Sequence, residues 1–144
     1  MRRSNPSDCW RTPLELFEQA SARWKFNLDA AADANNSLCE NFCSDGLTES
    51  WAGHSVWVNP PYSDIMPWVE KAAVETDAEV IVMLLPIFVE SKWFARLMEL
   101  SPTLLFLAPR IKFQGATSNC PHRMMLVVFD GAGGHRVCRW RTGL

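Results

Sequence analysis

Few features of this 144-residue chain point away from an ordinary soluble domain, and its scarcities exclude several classes. No apolar run is long enough to span a bilayer; the longest, Val80 to Val89, is interrupted by Pro86. Neither sign of charge dominates, and the formal net charge of −2 excludes a strong global attraction to nucleic acid while leaving room for a local basic face. The five cysteines are an odd number with no framework spacing. Cys39 and Cys43 lie four apart without a second pair, and Cys9, Cys120 and Cys138 stand apart from them. With His54, His122 and His135 scattered as well, a closed metal site is not expected. The basic start, Met1-Arg2-Arg3-Ser4-Asn5, leads into no apolar segment, so no signal peptide is expected. Free, buried thiols in a reduced cytoplasmic protein are the expectation.

The composition present, 48% hydrophobic and 21% charged, suits one globular domain over residues 1–144. Thr12 as N-cap and Pro13 at the first helical position predict a helix to about Trp24, with Leu14, Phe17, Ala20 and Trp24 at helical spacing. Phe26 to Ala30 reads as a short strand, and Ala30 to Cys39 as a turn with a small helix. Ser55 to Val58 reads as a buried strand. A helix capped by Ser63 or Asp64 should run to Val74, and a continuously apolar strand should follow from Val80 to Leu85. Helix is expected again over Glu90 to Leu100, then strands over Thr103–Leu107, Ile111–Phe113 and Met124–Phe129. Asp130 to Gly134 reads as a turn and His135 to Trp140 as a last edge strand. Alternating strands and helices predict an α/β three-layer sandwich, mainly parallel, with an antiparallel hairpin at one edge.

One stretch carries chemistry. Val56-Trp57-Val58 ends on Asn59, followed by Pro60, Pro61 and the chain's single tyrosine, Tyr62. Proline fixes φ and donates no backbone hydrogen bond, so the strand must stop here and the next peptides are stiff. In an α/β fold this is where ligands bind, beyond the carboxyl end of a strand. The Asn59 amide oxygen and the Pro60 carbonyl are two acceptors side by side, suited to a planar –NH₂ group with two hydrogens to give. Hydrogen bonds from both hydrogens concentrate charge on nitrogen and favour a nucleophilic, pyramidal amine without a strong base. The Tyr62 ring offers a face for stacking. A plain Asn-Pro-Pro turn with Tyr62 packed on Trp68 is the bland alternative.

The Asn59-Pro60-Pro61-Tyr62 motif, together with its surroundings, resembles the phage-type Dam-like DNA adenine-N6 methyltransferases. The resemblance runs through Trp10-x-Thr12-Pro13, Phe26-x-Leu28-Asp29-x-Ala31-Ala32, Trp51, Val56 to Tyr62, Leu84-Leu85-Pro86 and Arg110-Ile111-Lys112-Phe113. It implies a compact Rossmann-like fold that uses S-adenosylmethionine to methylate the N6 amine of adenine in DNA, with Asn59, Pro60, Pro61 and Tyr62 as the catalytic loop. It also implies that Asp29, Ala30 and Ala31 form the first cofactor motif. Trp10, Thr12 and Pro13 would lie beside the cofactor's methionine part, Asn59 would reach the cofactor, and Asp45 would approach its adenine amine. This sequence departs from the pattern in places. Alanines stand where cofactor loops use glycine, only Asp33 and Glu40 offer themselves to the ribose, and Pro109 stands where glycine is expected. The segment between Ala32 and Ser55 is short enough to omit a strand or helix.

A stacked base cannot present its amine, so the adenine would have to flip out of the duplex. Arg110, Lys112 and Arg123 are the expected DNA contacts, with Arg136, Arg139 and Arg141 as further candidates. Gln114 to His122 reads as a substrate loop. The same motif also fits methylation of an RNA base, cytosine N4 or a protein glutamine. A non-catalytic nucleic-acid-binding module that keeps the fold is the alternative from another class.

Overall fold

The computed structural model describes residues 11–32, 35–114, 116, 118–131 and 136–142. The elements run α1 (Leu14–Trp24), β1 (Leu28–Asp29), β2 (Asn41–Phe42), β3 (Ser55–Val58), α2 (Met66–Val74) and β4 (Val80–Pro86). They continue with α3 (Lys92–Glu99), β5 (Thr103–Ala108), β6 (Met124–Phe129) and β7 (Arg136–Arg141). The seven strands form one mixed sheet in the order β2-β1-β3-β4-β6-β5-β7.

Two cores explain why β4 is apolar throughout. Val80, Val82 and Leu84 face α1, where Leu16, Phe17 and Ala20 pack with Trp57, Leu105 and Leu126. Ile81, Met83 and Leu85 face α2 and α3, against Trp68, Val69, Trp93 and Leu97. Successive strand residues point to opposite faces, so a strand covered on both sides must be apolar at every position. The result is the expected three layers.

The antiparallel strand is not at the edge. β6 pairs antiparallel with both β4 and β5, whereas the edge strand β7 pairs parallel with β5. The reason is composition. Met124 to Val128 are all buried and gain most between two neighbours, while Arg136 to Arg139 and Arg141 are exposed, and a charged strand suits an open edge. Ile111 to Phe113 forms no strand; Ile111 and Phe113 instead bury their side chains under the α1 face. No helix forms within the described part of Ala30 to Cys39, and β2, which the sequence did not reveal, pairs parallel with β1.

Helix starts also differ from expectation. Pro13, not Thr12, is the N-cap of α1, and Ile65 rather than Ser63 or Asp64 caps α2. Ser91 caps α3 as a serine should, accepting the Phe94 N–H at 3.2 Å. Cys43 and Cys120 are buried, Cys39 is half-buried and Cys138 is exposed on β7; all four are unbridged. No helix among the described residues is long and apolar enough to cross a membrane.

The parallel strands β1, β3 and β4 end on the same side, with Asp29 level with Trp57 and Val58 level with Met83. That places the segment after Asp29 beside the segment after Val58. A cleft opens there.

Candidate active site

The cleft, about 310 Å³, is lined by Arg11, Thr12 and Leu14 before and within α1, by Asp29 and residues 31–32 and 35–38 after β1, and by Trp57, Asn59 and Gln114. A larger groove of about 410 Å³ opens at the other end of the sheet, around Ala72, Leu100, Thr103 and Phe129. Chemistry decides between them. The carboxyl ends of the parallel strands and the Asn59 loop meet in the smaller cleft, as ligand sites do in open α/β sheets.

Asn59 is half-buried and held on both sides. Its Nδ2 donates to Thr12 Oγ1 at 3.1 Å, and its Oδ1 accepts the Tyr62 hydroxyl at 3.0 Å. The amide therefore turns its oxygen toward the tyrosine and its nitrogen away. Pro60 is buried, and the Pro61 carbonyl accepts the Asp64 N–H at 3.2 Å, which closes the turn after the prolines. The Tyr62 ring is half-buried and rests edge-on against Phe113, centroids 6.2 Å apart. Burial, with a smaller effect from Cys120, pushes its phenol well above the ordinary tyrosine value, so it stays a neutral donor.

Asp29 ends β1 with only 4% of its surface exposed. Its Oδ2 accepts the Leu38 N–H at 3.1 Å. Burial pushes its carboxyl up to about 6, against the pull of the Leu38 and Ala31 N–H groups. Trp57, in the cleft wall, carries a buried indole N–H with no partner among the described residues. Both are costly features for a fold to keep, and both residues line the cleft.

A family model described as DNA N-6-adenine-methyltransferase (Dam) matches residues 2–129. The chain belongs to this family. The DNA N-6-adenine-methyltransferase of Haemophilus phage HP1 is 34% identical over 99 residues, covering 64% of this chain and 57% of that protein. The protein of the same name from Escherichia phage T1 is 39% identical over 93 residues, covering 60% of this chain and 39% of that one. The chain thus spans about half the length of these relatives.

Within this Dam-family framework the expected site residues divide. Thr12, Asp29, Ala31 and Asn59 line one cleft, with the buried Pro13 and Ala30 beside them in the chain. Trp10 and Asp33 lie outside the described residues. Asp45 does not line the cleft; it is exposed and its Oδ1 accepts the Leu47 N–H at 3.2 Å, a turn-forming bond. Arg110, Lys112 and Arg123 are exposed on the segments that follow β5 and precede β6, at the end of the sheet where β3 and β4 also finish. Among the described residues no three His, Cys, Asp or Glu side chains gather as a metal site.

Two site residues escaped the sequence reading. Gln114 was read only as the start of a loop, yet its N–H donates to the Arg11 carbonyl at 3.1 Å and its Nε2 to the Thr12 carbonyl at 3.0 Å. A contact across 102 residues leaves no local signal. Gly46 is the second. A Cβ built there would lie 1.9 Å from the Ala30 carbonyl oxygen, so this glycine allows the close approach that the alanine loop itself does not supply. The Trp51 indole donates to the Gly46 carbonyl at 3.1 Å and fixes that approach.

Proposed function

We propose that this protein transfers a methyl group from S-adenosylmethionine to the N6 amine of adenine in DNA. The observation that carries the reading is the Asn59 amide, which lines the same cleft as Asp29 and turns its oxygen toward the chain's one tyrosine. Membership of the Dam family supports DNA adenine as the substrate. A compact Rossmann-like arrangement is the finer reading of the mixed sheet.

The cleft suits the cofactor by its donor set. It offers a buried carboxylate to accept hydrogen bonds and small alanines that let a ligand near the backbone. Its volume is at the lower end for a small-molecule site. S-adenosylmethionine supplies an electrophilic methyl group when bound. Asp29 would hold its polar end. Asn59 Oδ1 and the Pro60 carbonyl would each accept one hydrogen of the target amine, concentrating its lone pair toward the methyl donor. Tyr62 would stack on the flipped base, and alignment of the reactants would supply much of the rate. Arg110, Lys112 and Arg123 would contact phosphates.

The test is incubation of purified protein with methyl-labelled S-adenosylmethionine and adenine-containing duplex DNA, followed by nucleoside analysis. Label should appear in N6-methyladenine. Label confined to cytosine N4, RNA or protein would sink the substrate assignment, and absence of cofactor binding by calorimetry would favour a non-catalytic module.

A further inference from the structure

We propose that Phe88 and Val89, the tip that follows β4, form an apolar wedge that enters the DNA base stack and holds the gap left by the flipped adenine. The inference rests on the reading of the protein as an adenine methyltransferase acting on duplex DNA. A base that leaves the duplex gives up its pairing and its stacking neighbours, and the gap closes again unless something occupies it. Apolar side chains pushed between base steps perform this task in proteins that unstack DNA.

Large apolar side chains exposed singly are ordinary, whereas neighbours exposed together call for a partner. Among the described residues, Phe88 and Val89 are the only two large hydrophobics exposed side by side in the chain, at 37% and 65%. They stand at the end of the sheet that carries Asn59. β4 runs on to Pro86, past the level of Met83 at which its partner β3 ends, and Ile87 packs on the core cluster that Tyr62 also touches. The tip is held from several sides. The Ile87 N–H donates to the Arg123 carbonyl at 2.8 Å and carries the β4–β6 pairing beyond Pro86. The Phe88 carbonyl accepts the Ser91 N–H at 3.0 Å and the Ser91 hydroxyl at 2.7 Å, and Ser91 is the N-cap of α3. The Phe88 ring stands edge-on to His122, centroids 4.8 Å apart. A side chain on anchored backbone loses little freedom when it inserts. The charge around the tip suits phosphates as well. Arg123, across the pairing, and Lys92, at the start of α3, are both exposed and offset the Glu90 carboxylate on the tip itself.

The experiment first locates an adenine that the unaltered chain methylates in duplex DNA. One oligonucleotide duplex is then made in two forms, with that adenine facing thymine or facing an abasic site. Replacing both residues (Phe88→Ala with Val89→Ala) should lower kcat/KM on the paired form about ten- to a hundredfold, the range of losing an aromatic stacked on a base. On the abasic form the same variant should stay within about threefold of the unaltered chain, because an unpaired base costs least to extrude. Phe88→Leu, which keeps an apolar side chain, should recover most of the activity on the paired form. The Kd for S-adenosylmethionine and the Tm should not move. With 2-aminopurine in place of the target adenine, binding of the unaltered chain should raise the fluorescence, and the double variant should raise it less. Full activity of the double variant on paired DNA, equal losses on the two forms, or a loss lying in cofactor Kd would overturn the proposal. An unaltered chain that methylates no DNA adenine would instead overturn the functional reading on which it rests.

Discussion

At the scale of single residues, Asn59 and Asp29 make opposite demands. Asn59→Ala removes one acceptor and leaves the prolines in place. The rate should fall about a hundred- to a thousandfold, worth about 3–4 kcal/mol by analogy with losing one oxyanion-hole donor. Calorimetry should show cofactor affinity little changed, and unchanged methylation with an intact fold would refute the double-acceptor role. Asp29 is different, since its carboxyl is pushed up to about 6 from an ordinary 3.8. A carboxyl whose folded pKa is raised stabilises the fold only while protonated, below about 4. That contribution is lost as pH rises through about 6, leaving the charged form a liability of about 3 kcal/mol at neutral pH. A fold gains nothing from such a residue by itself. Asp29→Asn should therefore raise the Tm of the ligand-free protein at pH 8 while weakening S-adenosylmethionine binding. In the unaltered chain the same affinity should be flat above about pH 7 and fall below about pH 6, as the carboxylate takes up its proton. An Asp29→Asn protein with lower Tm and normal affinity would assign the residue to the fold.

At the scale of elements, the short β1 and the turn after it depend on one glycine. Any side chain at Gly46 must displace the Ala30 carbonyl oxygen, 1.9 Å from the built Cβ, and the Trp68 indole, 2.9 Å from it. Backbone yields poorly, so Gly46→Ala should cost about 1–3 kcal/mol, the range for overpacking, and lower Tm by several degrees in a thermal melt. A Tm unchanged within a degree would mean that the Asp45–Leu47 turn shifts freely. Most elements were legible beforehand because their signals are local. The apolar run of β4, the Ser55–Val58 strand stopped by prolines and the spacing of α1 all lie within one window of sequence. The two-residue strands β1 and β2 do not, since pairing with neighbours makes them strands. Ile111 and Phe113 misled for the same reason, as alternate burial needs no hydrogen-bonded partner. In the site, Asn59, Tyr62 and Asp29 were legible as motifs. Gln114 and Gly46 were not, because each acts through backbone carbonyls brought close only by folding.

At the scale of the whole molecule, the proposed function would have a slightly acidic protein bind a polyanion at one end of its sheet. The net charge of −2 opposes approach weakly, so on that reading the affinity would have to come from locally gathered cations. Arg110 and Lys112 are exposed, and Ile111 and Phe113 bury the backbone that carries them; Arg123 is exposed, and its carbonyl is held by the Ile87 N–H at 2.8 Å. Cations on anchored backbone lose less freedom on contact than cations on a free loop. Each phosphate neutralised releases condensed counterions, so the affinity for duplex DNA should fall with salt, with a slope set by the number of such contacts. Lys112→Ala should weaken binding alike for every DNA sequence and reduce the magnitude of that log–log slope by about one, read from fluorescence anisotropy across a salt series. kcat at saturating DNA should hold, because Asn59 and Tyr62 keep their partners. An unchanged slope in Lys112→Ala, with Arg123→Ala equally silent, would place the DNA on another face, and the charged edge strand β7 with Arg136, Arg139 and Arg141 would be the next to substitute.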